Sequence, residues 1–382
     1  MQRFAFRRLM TMTLLVTLLG ACGAAQTTAP SAPTTAPTAA MVATAAPTAA
    51  MMATASPAAE TAAAPVGGVP AEGACTAAAA TAARPNPLVL EIGTGNTGGV
   101  FFPYGGGIAK VLTDKLPGAQ VTAQETGGSV DNLKLILANE ADIGMSTVDS
   151  AYDGTLGQGA YKDTGAIPAC AIAVLYQSFV HVVARDGVGI SSVADMKGKT
   201  VSVGSAGSST EGAADRVLEA AGLNPKADIT RENLSVNDSV AAMKDQKIDA
   251  FFWIGGLPTS AVTDLITTGS TKVVFVPTGE YVASLTAKYG PVYTAFALPA
   301  GVYKGFDAQT PGIGIGNILF VGASMNEQLA YDITKTMFDN LSLVQASHPA
   351  AKTLSMETAT VGSSIPFHPG ALRFYREKGI VK

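Results

Sequence analysis

The sequence predicts an α/β protein built as two similar lobes with a ligand cleft between them. From position 88 onward, runs of aliphatic and β-branched residues alternate with runs of helical periodicity, the order expected of a mainly parallel sheet. A strand, a glycine-rich loop and a helix follow one another twice, the loop opening first at Gly93 and again at Gly204. Residues 23–85 are almost wholly Ala, Thr, Pro, Met and Gly, with Glu60, Glu72 and Arg84 their only charges. Such a segment has too little bulky apolar surface to offset its ordering entropy and stands outside the fold.

Setting aside the first 86 of 382 residues leaves 296, enough for one large or two medium cores. Four of the 25 Lys and Arg and two of the 29 Asp and Glu precede position 87, so the remainder carries a net −6. A mildly acidic body without a basic cluster argues against nucleic acid and against an anionic membrane surface as partners.

Taken in order, the chain opens on Arg3, Arg7 and Arg8, then Leu9 to Leu19, an apolar run too short to span a bilayer and built like a secretory signal core. Leu19-Gly20-Ala21-Cys22 resembles the bacterial lipobox, which implies a signal peptide over 1–21 and a lipidated Cys22. An ordinary secretory signal beside a chance cysteine is the alternative. The Ala/Thr/Pro-rich stretch over 22–86 then reads as a disordered tether, extended at about 3 Å per residue where polyproline-like. No later run approaches the roughly 20 apolar residues of a membrane helix. The expected location is extracytoplasmic, on the outer face of the cell membrane or in the periplasm, with contact to the membrane by lipid alone.

With Cys22 assigned to lipid, Cys75 and Cys170 remain as an even pair in an oxidising compartment, expected to bridge the end of the tether to the body. Two unpaired small hydrophobes are the alternative. His181, His348 and His368 lie far apart, with no Cys or His at ligand spacing, so no metal is expected.

Strands are expected at Leu88 to Ile92, Gln120 to Gln124 and Asp142 to Met145, with helices through Ala109, Val111 and Leu112 and from Ser129 through Leu137. Ala171 to Ala184 is strongly β-prone. A second unit follows: strand Thr200 to Val203, helix Glu211 to Ala221, strand Ile229 to Leu234, helix Ser239 to Gln246 and strand Ile248 to Phe252. Leu329, Ile333, Met337, Leu341 and Val344 form one apolar stripe of a late helix.

Gly93-Thr-Gly95-Asn-Thr-Gly98 matches the dinucleotide pattern, with Glu125 near the position of a ribose-binding acid. An exported dehydrogenase would lack its cofactor pool, and Phe101, Phe102 and Pro103 crowd the loop, so no cofactor and no enzyme is expected. Neither Ser129 nor Ser209 sits in a G-x-S-x-G elbow, because Asp131 and Glu211 fill the last position. Hydroxyls instead cluster in these loops and at a strand end: Thr94, Thr97, Thr126 and Ser129, then Ser146 and Thr147 closing a strand, then Ser205, Ser208, Ser209 and Thr210. Hydroxyls and free N–H groups at helix N-termini hold a carboxylate or phosphate without Arg or Lys.

Five motifs in order resemble the TAXI solute receptors of TRAP transporters. They are Thr94-Gly-Asn-Thr-Gly-Gly-Val-Phe-Phe-Pro-Tyr-Gly-Gly-Gly-Ile-Ala109, Thr126-Gly-Gly-Ser-Val-Asp-Asn-Leu133, Asp195-Met-Lys-Gly-Lys-Thr-Val-Ser-Val-Gly-Ser-Ala-Gly-Ser-Ser-Thr-Glu211, Lys247-Ile-Asp-Ala-Phe-Phe-Trp-Ile-Gly-Gly-Leu-Pro-Thr259 and His368-Pro-Gly-Ala-Leu-Arg-Phe-Tyr-Arg-Glu-Lys-Gly379. The resemblance covers residues 88–382. It departs at Asn96, where the family usually has Gly, and at Phe101 and Phe102, where it has Tyr at one or both.

The resemblance implies a type 2 periplasmic-binding-protein fold of the Venus-flytrap kind, with two mixed sheets and crossing hinge strands. Lobe I would comprise 87–184 and 293–382, and lobe II 185–292, with hinges near Phe179 to Ala184 and Val292 to Leu298. It implies capture of a small carboxylate (glutamate, glutamine or a related acid) and delivery to a TRAP-type membrane permease. A sensor or scaffold on the same fold without transport is the alternative; an exported enzyme using the glycine loop is a distant one. Carried over motif by motif, the ligand-binding residues are Thr97, Gly98, Gly99, Val100, Ser129 and Ser146 from the first lobe. Ser205, Gly207, Ser208, Ser209, Thr210, Trp253 and Gly255 come from the second. Arg185, near the hinge, is the rival anion partner.

Overall fold

A computed structural model describes Cys75 and residues 86–382. The expected signal peptide over 1–21, the expected lipidation site Cys22 and the expected tether, apart from Cys75 and Asn86, lie outside the described residues.

Strands β1 (Leu88–Gly93), β2 (Ala119–Gln124) and β3 (Ile143–Thr147) are parallel, with β1 between the other two. Helix α1 (Phe101–Lys115) connects β1 to β2, α2 (Ser129–Ala138) connects β2 to β3, and α3 (Val148–Leu156) follows. The long β4 (Ala169–Arg185) leads to a second unit of the same plan: β5 (Thr200–Ser202), α4 (Ser209–Ala220), β6 (Thr230–Glu232), α5 (Val236–Lys244) and β7 (Ala250–Gly255). β5 lies between β6 and β7 and parallel to both. Then come α6 (Ser260–Thr268), β8 (Val273–Phe275), α7 (Val282–Tyr289), β9 (Thr294–Ala295), β10 (Ile313–Gly322), α8 (Glu327–Asp339), α9 (Leu341–Gln345) and α10 (Pro369–Glu377). The protein is thus a two-lobed α/β molecule.

The two mixed sheets expected from the resemblance are hydrogen-bonded into one 10-stranded sheet, in the order β2-β1-β3-β10-β4-β7-β5-β6, with β8 paired to β4 and β9 to β10 off this path. The reason is β4, whose 17 residues serve both halves. Its first part runs antiparallel to β10 as far as Phe179, which faces Gly314; from Phe179, opposite Gly255, onward it runs antiparallel to β7. The large core spreads over both halves, and a second cluster lies around Phe179, Val183, Phe251, Val262 and Leu265.

Local sequence explains most boundaries. Ser208 and Ser235 cap α4 and α5 by accepting the N–H of Glu211 and Asp238. For that reason α5 starts three residues before the expected Ser239. The expected late helix is broken at Asn340 into α8 and α9. Strand β10 is a central strand that β-propensity does not reveal, because Gly314 and Gly316 interrupt it. Cys75 and Cys170, both fully buried, are joined as a disulfide. Among the described residues no helix is long and apolar enough to cross a membrane.

Candidate functional site

In a parallel β-α unit the chain leaves each strand at its carboxyl end and starts a helix there, so helix N-termini gather along one edge. Here both halves present that edge to one small cavity. Its walls include the residues that precede four helices: Val100 before α1, Gly128 before α2, Thr147 before α3 and Ser208 before α4. The cavity measures about 30 Å³, room for no more than a few waters.

A chain of donors crosses between the halves. The Thr147 N–H donates to Ser129 Oγ (3.1 Å), and the Ser129 hydroxyl donates to Ser209 Oγ (3.2 Å). Ser209 is left with its own proton to donate. Thr210 Oγ1 accepts the N–H of Ile254 (3.2 Å). Thr147 Oγ1 is buried in the cavity wall and has no partner among the described residues.

Trp253, on β7, forms another wall. Its ring packs so closely on Gly99 that a Cβ there would stand 2.8 Å from Cη2. Its Nε1–H donates to Thr259 Oγ1 (3.0 Å), which donates to the Gly256 carbonyl (2.8 Å). The Thr259 N–H donates to Tyr303 Oη (2.9 Å), leaving the tyrosine proton for His181 Nε2, also 2.9 Å away. His181 is fully buried, and burial lowers its pKa to about 4, so the ring is neutral near pH 7. It accepts from Tyr303 through Nε2 and presents Nδ1–H to the carbonyls of Phe179 and Trp253. This buried relay sets the indole orientation without placing a charge at the cavity. Tyr176 closes the site, packed near Tyr104 and Phe101.

Of the residues expected in the site, Gly99, Val100, Ser129, Ser208, Ser209, Thr210, Trp253 and Gly255 line the cavity. Others form the seam where the halves meet. Thr97 Oγ1 accepts from Asn237 (3.4 Å), the Gly98 carbonyl accepts from Ser260 (3.0 Å), and Ser205 donates to Asn96 Oδ1 (3.1 Å). Gly207 contributes its carbonyl, not its N–H: that oxygen accepts from the N–H groups of Val130 and Asp131 at 3.1 Å each. Its φ of +78° and the Asp131 carboxylate, which occupies the place a Cβ would take, both demand glycine. Ser146 lies off the cavity and donates to the Thr147 carbonyl (3.0 Å). Strand alternation turns its neighbour Thr147 inward instead. Ser208 has both hydroxyl functions engaged, donating to the Ser205 carbonyl (2.6 Å) and capping α4 (3.3 Å). Arg185 pairs with Asp249 (2.7 Å) and lines no part of the cavity. Glu125, read as a ribose acid, accepts the Thr97 N–H (3.1 Å).

A wider depression of about 1570 Å³ shares Ser208 and Ser209 with the cavity, and it is charged. Arg216 of α4 pairs with Asp153 of α3 and donates to Tyr293 Oη (2.8 Å), which donates to Asp149 (2.9 Å). The guanidinium also lies 4.2 Å from the Tyr289 ring centre. Sequence reasoning missed this set because its members are scattered over three elements. Among the described residues no group of His, Cys, Asp and Glu is placed to hold a metal ion.

The chain is similar to several solved binding proteins. It is 16% identical to the periplasmic aliphatic sulphonate binding protein SsuA from Escherichia coli, over 68% of this chain and 79% of that one, with a TM-score of 0.39. It is 13% identical to the binding protein component of an ABC phosphonate transporter from Pseudomonas aeruginosa, over 68% and 78%, with a TM-score of 0.44. With the periplasmic binding protein BugD the identity is 15%, the coverage 77% and 94%, and the TM-score 0.47. Residues 92–379 match a family model spanning both β-α units and the crossing strands, and the chain belongs to the NMT1-like family.

Proposed function

We propose that the protein is an extracytoplasmic solute receptor that closes its two lobes around a small carboxylate and delivers it to a TRAP-type permease. The observation that carries this reading is the cavity bounded by helix N-termini from both halves, with hydroxyl and N–H donors turned into it. A carboxylate there accepts charge-assisted hydrogen bonds, each contributing about 1.5–3 kcal/mol, without a basic side chain. The five resembling motifs support the TRAP partnership and a ligand of the glutamate or glutamine type or a related acid. The lobes are 87–184 with 293–382, and 185–292, hinged where β4 changes partner at Phe179 and where the chain returns near Val292 to Leu298. Cys22 holds the protein to the membrane by lipid, and the tether sets the distance.

Small-angle scattering of the full chain, alone and at saturation with L-glutamate or 2-hydroxybutyrate, tests closure. The radius of gyration is expected to fall with whichever acid binds. An unchanged radius at saturation contradicts a receptor that closes.

A further inference from the structure

The charge of the ligand can be read from what the cavity wall contains. Among its described residues the wall holds no Asp, Glu, Lys, Arg or His. Its polar groups are dipoles: the donor chain ending at Ser209, the unpartnered Thr147 hydroxyl, and the first N–H groups of α1 and α4, which have no partner among the described residues. Thr147 is 2% exposed. Its idle hydroxyl marks the site as built for a bound group, independently of the helix ends.

The surrounding charges limit what can bind. Each helix N-terminus carries about half a positive charge. Those of α2, α3 and α4 are accompanied by Asp131, Asp149 and Glu211 in their first turns. None of the three carboxylates lines the cavity: Asp131 accepts the Gly127 N–H, Asp149 accepts from Tyr293 through one oxygen while the other is buried without a partner among the described residues, and Glu211 accepts from Arg231 and Asn233. Lying off the cavity wall, they offer no direct partner to an ammonium within it, and they disfavour added negative charge. Only α1 has no acidic residue in its first turn. The α1 end, with the neutral donors beside it, is what remains to hold one negative charge, and it leaves nothing for a second.

Building on the receptor reading, we infer that the ligand is a small, singly charged organic acid without an amino group, such as a short 2-hydroxy or 2-oxo monocarboxylate. An α-ammonium would be buried with no anionic acceptor, and a second carboxylate with no cation. Both cases make this protein discriminate against glutamate, which carries the two features together. Thr147 is a ligand-binding residue in this account.

Calorimetric titration of the full chain with 2-hydroxybutyrate, 2-aminobutyrate, malate and L-glutamate tests the inference, since the first three share a four-carbon skeleton. 2-Hydroxybutyrate is expected to bind at least about 100-fold more tightly than the other three, the scale of rejection when a buried polar group goes unpaired. Comparable or tighter binding of 2-aminobutyrate, malate or glutamate overturns the inference while leaving the receptor reading standing. No heat from any of the four overturns the receptor reading itself. Thr147→Val is expected to weaken 2-hydroxybutyrate about tenfold with an unchanged melting temperature, and Thr147→Ser to restore it. Unaltered affinity in Thr147→Val removes Thr147 from the site.

Discussion

Two spaces lie where the halves of the molecule face each other, and they are built from opposite materials. The small cavity is walled by glycines, hydroxyls, aromatic rings and helix ends, with no ionisable acid or base among its described lining residues except the phenol of Tyr176. The wide depression beside it holds Arg216, Asp153, Asp149, Glu219 and Lys288. Yet they share Ser208 and Ser209, at the start of a single helix. The contrast teaches a division of labour. Full charges fasten one half to the other, where they can be paired once and kept, whereas dipoles serve the space that, in the proposed receptor, accepts and releases a solute. A bare guanidinium in the cavity would need a counter-ion whenever the site is empty; helix ends and hydroxyls need none.

That division breaks first at Arg216, whose side chain and that of Asp153 are 13% and 15% exposed. Arg216→Ala leaves Asp153 and the Tyr293–Asp149 pair without their cation. Losing one partner of a buried pair costs about 3–5 kcal/mol, a fall in melting temperature of about 10 °C. Affinity for the acid should change little by comparison. Calorimetry showing abolished binding with an unchanged melting temperature would move the ligand to the charged depression.

The neutral side has a hidden titratable support in His181. Below pH 6.5 the unfolded chain takes up a proton that the buried ring refuses until about pH 4. Stability is therefore full above about pH 6.5 and declines as the pH falls through that window, by about 3 kcal/mol at pH 4 from this residue alone. His368, buried at the start of α10 and likewise lowered to about 4, adds a loss of the same sign. Trp253 is the only tryptophan, so its fluorescence reports the cavity wall directly. Urea midpoints followed by that signal should fall from pH 7 to pH 4; a constant midpoint contradicts the buried relay.

Much of this arrangement is legible in the sequence. Alternating β and α runs identify the fold class, and the glycine loops with their hydroxyls point to the helix N-termini. What stays hidden depends on contacts between distant positions or on one-residue parity. Strand β10 hides behind its glycines, and Tyr176 lies in a strand buried along nearly its whole length, where no alternation marks one face. Ser146 and Thr147 look equivalent in sequence, and only the pleat decides which faces the cavity. Arg216 and Asp153 are 63 positions apart and resemble ordinary surface charges of two helices.

Smaller effects sharpen the contrast. Trp253→Ala removes the wall that packs on Gly99 and should weaken binding of the acid about tenfold, measurable by calorimetry since the fluorophore is lost. Ser208→Ala, which motif reasoning alone would place among the ligand contacts, should instead cost about 1 kcal/mol of stability as a lost helix cap. Its melting temperature should drop by a few degrees with affinity nearly intact. A large affinity loss at unchanged stability would return Ser208 to the ligand.

The central claim is that dipoles of the small cavity, and not the charges beside it, hold the ligand. A crystal structure of the full chain grown with 2-hydroxybutyrate tests it most directly. The account predicts the carboxylate within about 3 Å of Thr147 Oγ1 and the N–H groups of Ser209 and Thr210, with no basic side chain in contact. A carboxylate seated on Arg216 in the wide depression would contradict it.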